Sequence, residues 1–215
     1  MNLLKALRVS LAALLLVAPI VPGAALAQQL VEGKHYTRLQ MPQPTEPAGK
    51  IEVIEFFWYG CPHCADFEPL LKSWAKKLPA DVAFRKVPAV FRDTWAPGAR
   101  IFYTLEALGL LDKLNVAVFD AMVKQRINLN DEKTLYGWIE KQGVDRQKFV
   151  DMYKSFAVDG KVRKAFEMTQ EYGFGGVPVL IVGGKYMPAP NLGTFGDMLA
   201  VVDALIAKNR IELKK

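Results

Sequence analysis

The feature that most constrains how this chain can fold is Cys61-Pro62-His63-Cys64, together with what flanks it on either side. Ahead of it, Ile51 to Trp58 is rich in β-branched and aromatic residues with little alternation, the pattern of a strand covered on both faces. Behind it the period changes. Phe67, Leu70, Leu71, Trp74 and Leu78 fall at helical spacing and Pro79 ends the run, while Pro62 sits near the first helical position, where a missing N–H costs nothing. Asp81 to Val87 then reads as a second strand, so that strand, CxxC, helix and strand open a βαβ unit.

Cys61 and Cys64 are the only two cysteines among 215 residues. A disulfide between them closes a ring too small to staple a fold, about 1.9 kcal/mol of chain entropy against about 4.7 for a hundred-residue loop. Two thiols this close are suited to trading electrons rather than to holding structure. The N-terminus sharpens that reading. Lys5 and Arg8 precede an apolar run from Val9 to Val21, and Ala25-Leu26-Ala27 is a small-residue cleavage site, so residues 1–27 read as an export signal peptide. The run is interrupted by Pro19 and Pro22 and is shorter than the roughly 20 residues of a membrane-spanning helix. Export implies an oxidising compartment, where cysteines normally pair as staples; a chain with no staple and one CxxC points to redox chemistry. The leader carries two of the 28 basic residues and none of the 22 acidic ones, leaving a net charge of +4 after cleavage. With no Lys/Arg-rich run, that balance reads as solvated surface and not as a nucleic-acid-binding face.

Between Gln28 and Lys50 a short strand at Tyr36–Leu39 is followed by Pro42, Pro44 and Pro47 as a stiff linker. From Trp95 to Tyr172 there is no convincing strand. Amphipathic stretches recur at 99–108, 112–125, 131–142, 145–156 and 160–172, separated by Gly109, Asn128-Leu129-Asn130, Gly143 and Asp159-Gly160. Pro178 to Val182 resumes the sheet, Gly183-Gly184 signals a two-residue hairpin, and Lys185 to Met187 pairs back antiparallel. Thr194-x-x-Asp197 is a capping box opening a last helix with Phe195, Met198, Leu199, Val202, Leu205 and Ile206 on one face.

The run Glu55-Phe-Phe-Trp-Tyr-Gly-Cys-Pro-His-Cys64, then Gly175-Gly-Val-Pro178 and Val182-Gly-Gly-Lys-Tyr186, resembles the DsbA family of thioredoxin-like thiol:disulfide interchange proteins. The fold class this implies is α/β, a thioredoxin-like fold with an inserted all-helical domain: first part 28–91, helical insertion 92–172, second part 173–215. The resemblance further implies a cis Val177–Pro178 bond lying against the CxxC, with the Val177 backbone pairing with substrate, and an acidic residue at Glu55. Val before the proline resembles the oxidase branch, whereas isomerase relatives commonly carry Thr. The implied activity is that of a monomeric periplasmic protein-thiol oxidase donating the Cys61–Cys64 disulfide to exported polypeptides. A membrane-embedded, quinone-linked oxidase of the DsbB kind would restore it, with no metal or bound organic cofactor.

The chemistry of the residues runs alongside. Cys61 stands between strand end and helix start, where free backbone N–H groups and the positive end of the helix dipole favour thiolate over thiol. His63 adds a donor and a nearby positive charge. Each unit of pKa depression stabilises the reduced form by about 1.4 kcal/mol, which makes the disulfide a better oxidant. Zinc would need more ligands than Cys61, Cys64 and His63 supply, His35 being the only other histidine; haem attachment needs a His where Ala65 stands. Glu55 lies in an otherwise apolar strand. It is either a buried carboxyl able to relay a proton to or from Cys64, or an edge-facing, solvated one, with Lys86 in the neighbouring strand given no role. Tyr59, Gly60, Phe174 and the glycines at 173, 175 and 176 read as an apolar rim for substrates or, for the aromatic pair, as core, and Trp58 and Trp74 as packing. Two other readings stay open at this stage: a reductase or isomerase on the same scaffold, and a peptide-binding module in which the cysteines are incidental.

Overall fold

The computed structural model describes residues 30–46 and 48–213; the signal-peptide and cleavage-site expectations lie outside them. Five strands form one sheet in the order β1-β5-β4-β2-β3. The strands are β1 (Tyr36–Arg38), β2 (Ile51–Phe57), β3 (Val82–Pro88), β4 (Val179–Val182) and β5 (Tyr186–Pro188). β2 pairs in parallel with β3 and antiparallel with β4, and all seven of its residues are buried, as its near-continuous apolar run requires.

Helix α1 (Pro62–Ala75) joins β2 to β3. Between β3 and β4 every regular element is helical: a 3-10 turn at Asp93–Trp95, α2 (Ala96–Ala107), α3 (Leu111–Phe119), a π turn at Asp120–Lys124, α4 (Glu132–Lys141), α5 (Arg146–Tyr153) and α6 (Phe156–Glu171). Helix α7 (Phe195–Glu212) closes the chain behind the Thr194–Asp197 capping box, both of whose hydrogen bonds are present. Gly183 and Gly184 take φ of 58° and 62°, the left-handed pair of a two-residue hairpin.

The sheet separates two cores. On one face Ile51, Val53, Phe67, Leu71, Leu180, Val202 and Leu205 join β2 and β4 to α1 and α7. On the other, Ile54 and Phe56 pack into a larger cluster with the inserted helices through Ile101, Phe102, Phe119, Ile139 and Ala165. Residue alternation along β2 therefore puts Glu55 on the Val53 side, facing α1.

Three of the helix boundaries that differ from the sequence reading have a direct structural cause. Helix α1 stops at Ala75, not at Leu78, with Lys76 as its C-cap. The stretch at 112–125 is interrupted: the Gln125 N–H reaches back five residues to Asp120, making a π turn where one continuous helix was expected. Asp159-Gly160 separates nothing, because the Ser155 hydroxyl accepts from the Val158 N–H at 3.3 Å and starts α6 early, leaving Gly160 inside the helix. A single interior glycine costs about 1 kcal/mol, too little to override a capped, amphipathic start.

Candidate active site

Strand β2 delivers the chain through Trp58-Tyr59-Gly60 into Cys61, which caps α1 in an extended conformation (φ −94°, ψ 116°) and accepts the first helical bond from the Ala65 N–H. The turn is tight enough to need glycine. A Cβ on Gly60 would lie 2.4 Å from the Trp58 ring, and that ring stacks on Trp95 with centroids 4.2 Å apart and planes 8° from parallel. Pro62 and His63 are exposed on the first turn of α1.

The two sulfurs sit in unlike surroundings. Cys61 is 9% exposed and Cys64 fully buried, and both are free thiols, so the structure describes the dithiol form. The Cys61 thiol is held down to about 6, first by the Cys64 thiol donating to it, against some desolvation, then by the backbone N–H groups of Cys64 and His63 and by the His63 charge. No capping hydrogen bond meets strict geometry at Cys61, so the helix start acts on the sulfur as a group of facing dipoles. Burial drives Cys64 the other way, well above the ordinary thiol range, and a neighbouring Cys61 charge and the Glu55 charge add to it. One sulfur is prepared to leave as an anion, the other to keep its proton.

The Val177–Pro178 bond is cis, and the Val177 carbonyl lies 3.5 Å from Cys61 Sγ, placed to accept from the thiol when it is protonated. Two segments 116 residues apart thus meet at the reactive sulfur.

Beneath them lies a buried polar cluster. Glu55 is fully buried, so it is not the edge-facing, solvated residue that the sequence left open. Lys86, its direct partner in the β2–β3 register, puts Nζ 3.1 Å from Glu55 Oε2 and also binds Glu68 of α1. Neither Glu55 oxygen has an aligned hydrogen bond, and burial pushes its carboxyl up to about 7 in spite of Lys86, with the Glu68 charge adding to the rise. Glu68 Oε1 in turn accepts from Asn115 Nδ2 at 2.8 Å, and Asn115 Oδ1 accepts from the Tyr59 hydroxyl at 2.6 Å.

Several sequence expectations change here. Glu68, not Leu70, belongs to the buried face of α1; Leu70 is 43% exposed, because Cys64, Glu68 and Leu71 follow the i, i+4, i+7 stripe. Lys86 has two buried partners, so it does not simply reach solvent. Tyr59 and Phe174 are core residues, 1% and 4% exposed, and form no rim. Asn115 carried no sequence signal: a lone Asn in an amphipathic stretch looks like any solvated polar residue.

Comparison with known proteins agrees with this geometry. A family model described as a DSBA-like thioredoxin domain matches residues 95–200. The thiol:disulfide interchange protein DsbA of Burkholderia cepacia is 42% identical over 183 residues, covering 84% of this chain and 86% of that one. That of Pseudomonas aeruginosa is 40% identical over 208 residues, covering 95% and 98%. The chain belongs to the DsbA family. Among solved structures it is similar to Pseudomonas aeruginosa DsbA, with TM-score 0.82 and 40% identity over 86% of this chain and 97% of that one. The oxidoreductase NmDsbA1 from N. meningitidis matches with TM-score 0.80 and 36% identity over the same shares. The fold is accordingly the thioredoxin-like fold of DsbA, and the family activity is thiol:disulfide oxidoreduction.

Proposed function

We propose that this chain works as an oxidant in the periplasm, donating a Cys61–Cys64 disulfide to reduced exported polypeptides. A substrate thiolate attacks Cys61 Sγ, the Cys61–Cys64 bond breaks, and Cys64 leaves and takes up a proton. A second substrate thiolate attacks the substrate sulfur of the mixed disulfide and expels Cys61 as a thiolate. Two electrons pass to the protein and one disulfide to the substrate. The observation that carries this direction is the asymmetry of the sulfurs. A Cys61 held near 6 leaves readily and stabilises the reduced form, and a buried Cys64 with a raised pKa is hidden from substrate.

In this reading His63 and Pro62 shape the helix start, Val177 offers its backbone to substrate beside Pro178, and Glu55 handles the Cys64 proton. The leader-like sequence pattern of residues 1–27 supports the location, and the all-helical stretch between β3 and β4 supports the division at 92–172. Reoxidation by a membrane-embedded, quinone-linked partner of the DsbB kind completes the cycle. Equilibration with glutathione tests the direction. A potential well above that of thioredoxin, about −270 mV, is expected, and a value near it would reverse the assignment to a reductase. Cys61→Ser should abolish oxidation of a reduced substrate; retained activity would leave only a peptide-binding module.

A further inference from the structure

The polar chain beneath the dithiol does not stay among β2, β3 and α1. Before it returns to Tyr59 it passes through Asn115, which belongs to α3, in the helical stretch between β3 and β4. Asn115 is 7% exposed, and both ends of its amide are engaged, Oδ1 with the Tyr59 hydroxyl and Nδ2 with Glu68. The orientation is fixed by chemistry: a carboxylate can only accept, so the amide must turn its NH₂ to Glu68 and its oxygen to the tyrosine. Glu68 and Glu55 meanwhile share one ammonium, that of Lys86. Whatever donors Glu68 holds elsewhere decide how much of Lys86 is left for Glu55.

We propose that Asn115 is a positioning residue of the redox site: by donating to Glu68 from α3, it leaves Lys86 within reach of Glu55. The charged and titratable groups acting on Glu55 are Lys86 of β3, Glu68 and Cys64 of α1, and Tyr59 of the β2–α1 turn. Asn115 is uncharged and acts on Glu55 only through Glu68 and Lys86. A cavity of about 340 Å³ is lined by Glu68, Lys86 and Asn115 among others. The inference rests on the proposed role of Glu55 only for its kinetic consequence.

The test is a carboxyl-carbon NMR titration of the reduced full chain with labelled glutamate, the Glu55 signal being assigned by its loss in Glu55→Gln. In Asn115→Leu, Glu68 loses its amide donor and draws Lys86 away, so the Glu55 midpoint should rise by about half a unit or more. Tyr59→Phe, which frees the amide without deleting it, should give a smaller rise and keeps the reading testable if the Leu variant does not fold. Phe149→Leu, a core truncation in α5 away from the network, should lower Tm without moving the midpoint. An unchanged or lowered midpoint in the Asn115 or Tyr59 variant, or an equal rise in the Phe149 variant, would overturn the inference. The rate of mixed-disulfide resolution by Cys64 is followed against pH in the same proteins. If the Glu55 midpoint moves and that profile does not, the relay role of Glu55 fails while the role of Asn115 stands.

Discussion

Replacing Cys64 with Ala should raise the Cys61 pKa, because the thiol of Cys64 is the largest single cause of the depression. A hydrogen bond to a charged acceptor is worth about 1.5–3 kcal/mol, which at 1.36 kcal/mol per unit is about one to two pKa units. The Cys61 midpoint would move from about 6 into the range of about 7 to 8. At pH 7 the thiolate fraction would fall from about nine-tenths to between a half and a tenth. The backbone N–H groups and His63 stay in place, so the pKa should not return to the 9.0 of a free thiol. Cys64→Ser keeps a donor and should stay closer to the parent. Thiolate absorbance near 240 nm, followed by pH titration of each single-cysteine protein, reads the midpoint directly, and the pH dependence of alkylation provides a second measure. A Cys64→Ala midpoint at or below that of the parent would refute the reasoning, as would identical Ser and Ala variants.

Glu55→Gln should stabilise the reduced protein near neutral pH and leave it nearly unchanged at pH 4. The folded carboxyl titrates near 7 and the unfolded one near 4.5, so the folded state holds the extra proton between them and loses that advantage as pH rises. The ceiling is about 3 kcal/mol above pH 7, measured by urea denaturation at both pH values; a gain of equal size at pH 4 would contradict the sign. His63→Leu should raise the Cys61 pKa by less than Cys64→Ala does, since the His63 charge is the smallest of the causes acting on the sulfur; the same absorbance titration ranks the two. Gly60→Ala forces a methyl into the Trp58 ring and should cost about 1–3 kcal/mol while disturbing the Trp58–Trp95 stack, seen together as a lower Tm and altered tryptophan fluorescence.

The parts of this molecule that could be read from the chain are those encoded by local pattern. β2 announced itself by seven residues that all become buried, and the hairpin by two glycines that both take positive φ. The CxxC fixed the strand-to-helix junction, because chemistry and fold needs coincide there. What stayed hidden depends on contacts between distant segments. Asn115 meets Tyr59 across 56 positions and Glu68 across 47, and no periodicity links them. The choice between rim and core for Tyr59 and Phe174 was open in the sequence for a related reason. Phe174 lies 4.5 Å, ring to ring, from Phe56, and Tyr59 packs edge-on to Phe57 and Phe119, partners supplied by tertiary structure. Helix ends slipped where capping outweighed composition, as Ser155 did at α6.

The strand that carries Glu55 contains its own control. Glu52 is as buried as Glu55, in the same strand, with a basic partner on the same neighbour β3, but on the opposite face of the sheet. Arg85 gives Glu52 a direct hydrogen bond of 2.8 Å from Nε, one of the stronger pairings open to a buried carboxylate. Arg85 is itself shared with Glu46 and leaves Glu52 Oε2 without a partner, whereas Glu55 receives a shared lysine and has an aligned hydrogen bond at neither oxygen. Burial and strand context being equal, the difference lies in how well each charge is served. A fold that needed only a buried ion pair on the α1 face could have used the Glu52 solution there, or an apolar pair, which is often the more stable choice. The under-served carboxyl instead stands on the face of Cys64, and a pKa of about 7 would let it hold or release a proton near neutral pH, as the proposed relay requires. Lys86→Arg, which offers Glu55 a forked donor while still facing Glu68, should therefore lower the Glu55 midpoint and steady the fold while slowing Cys64 proton transfer, separating the stability of this site from its chemistry.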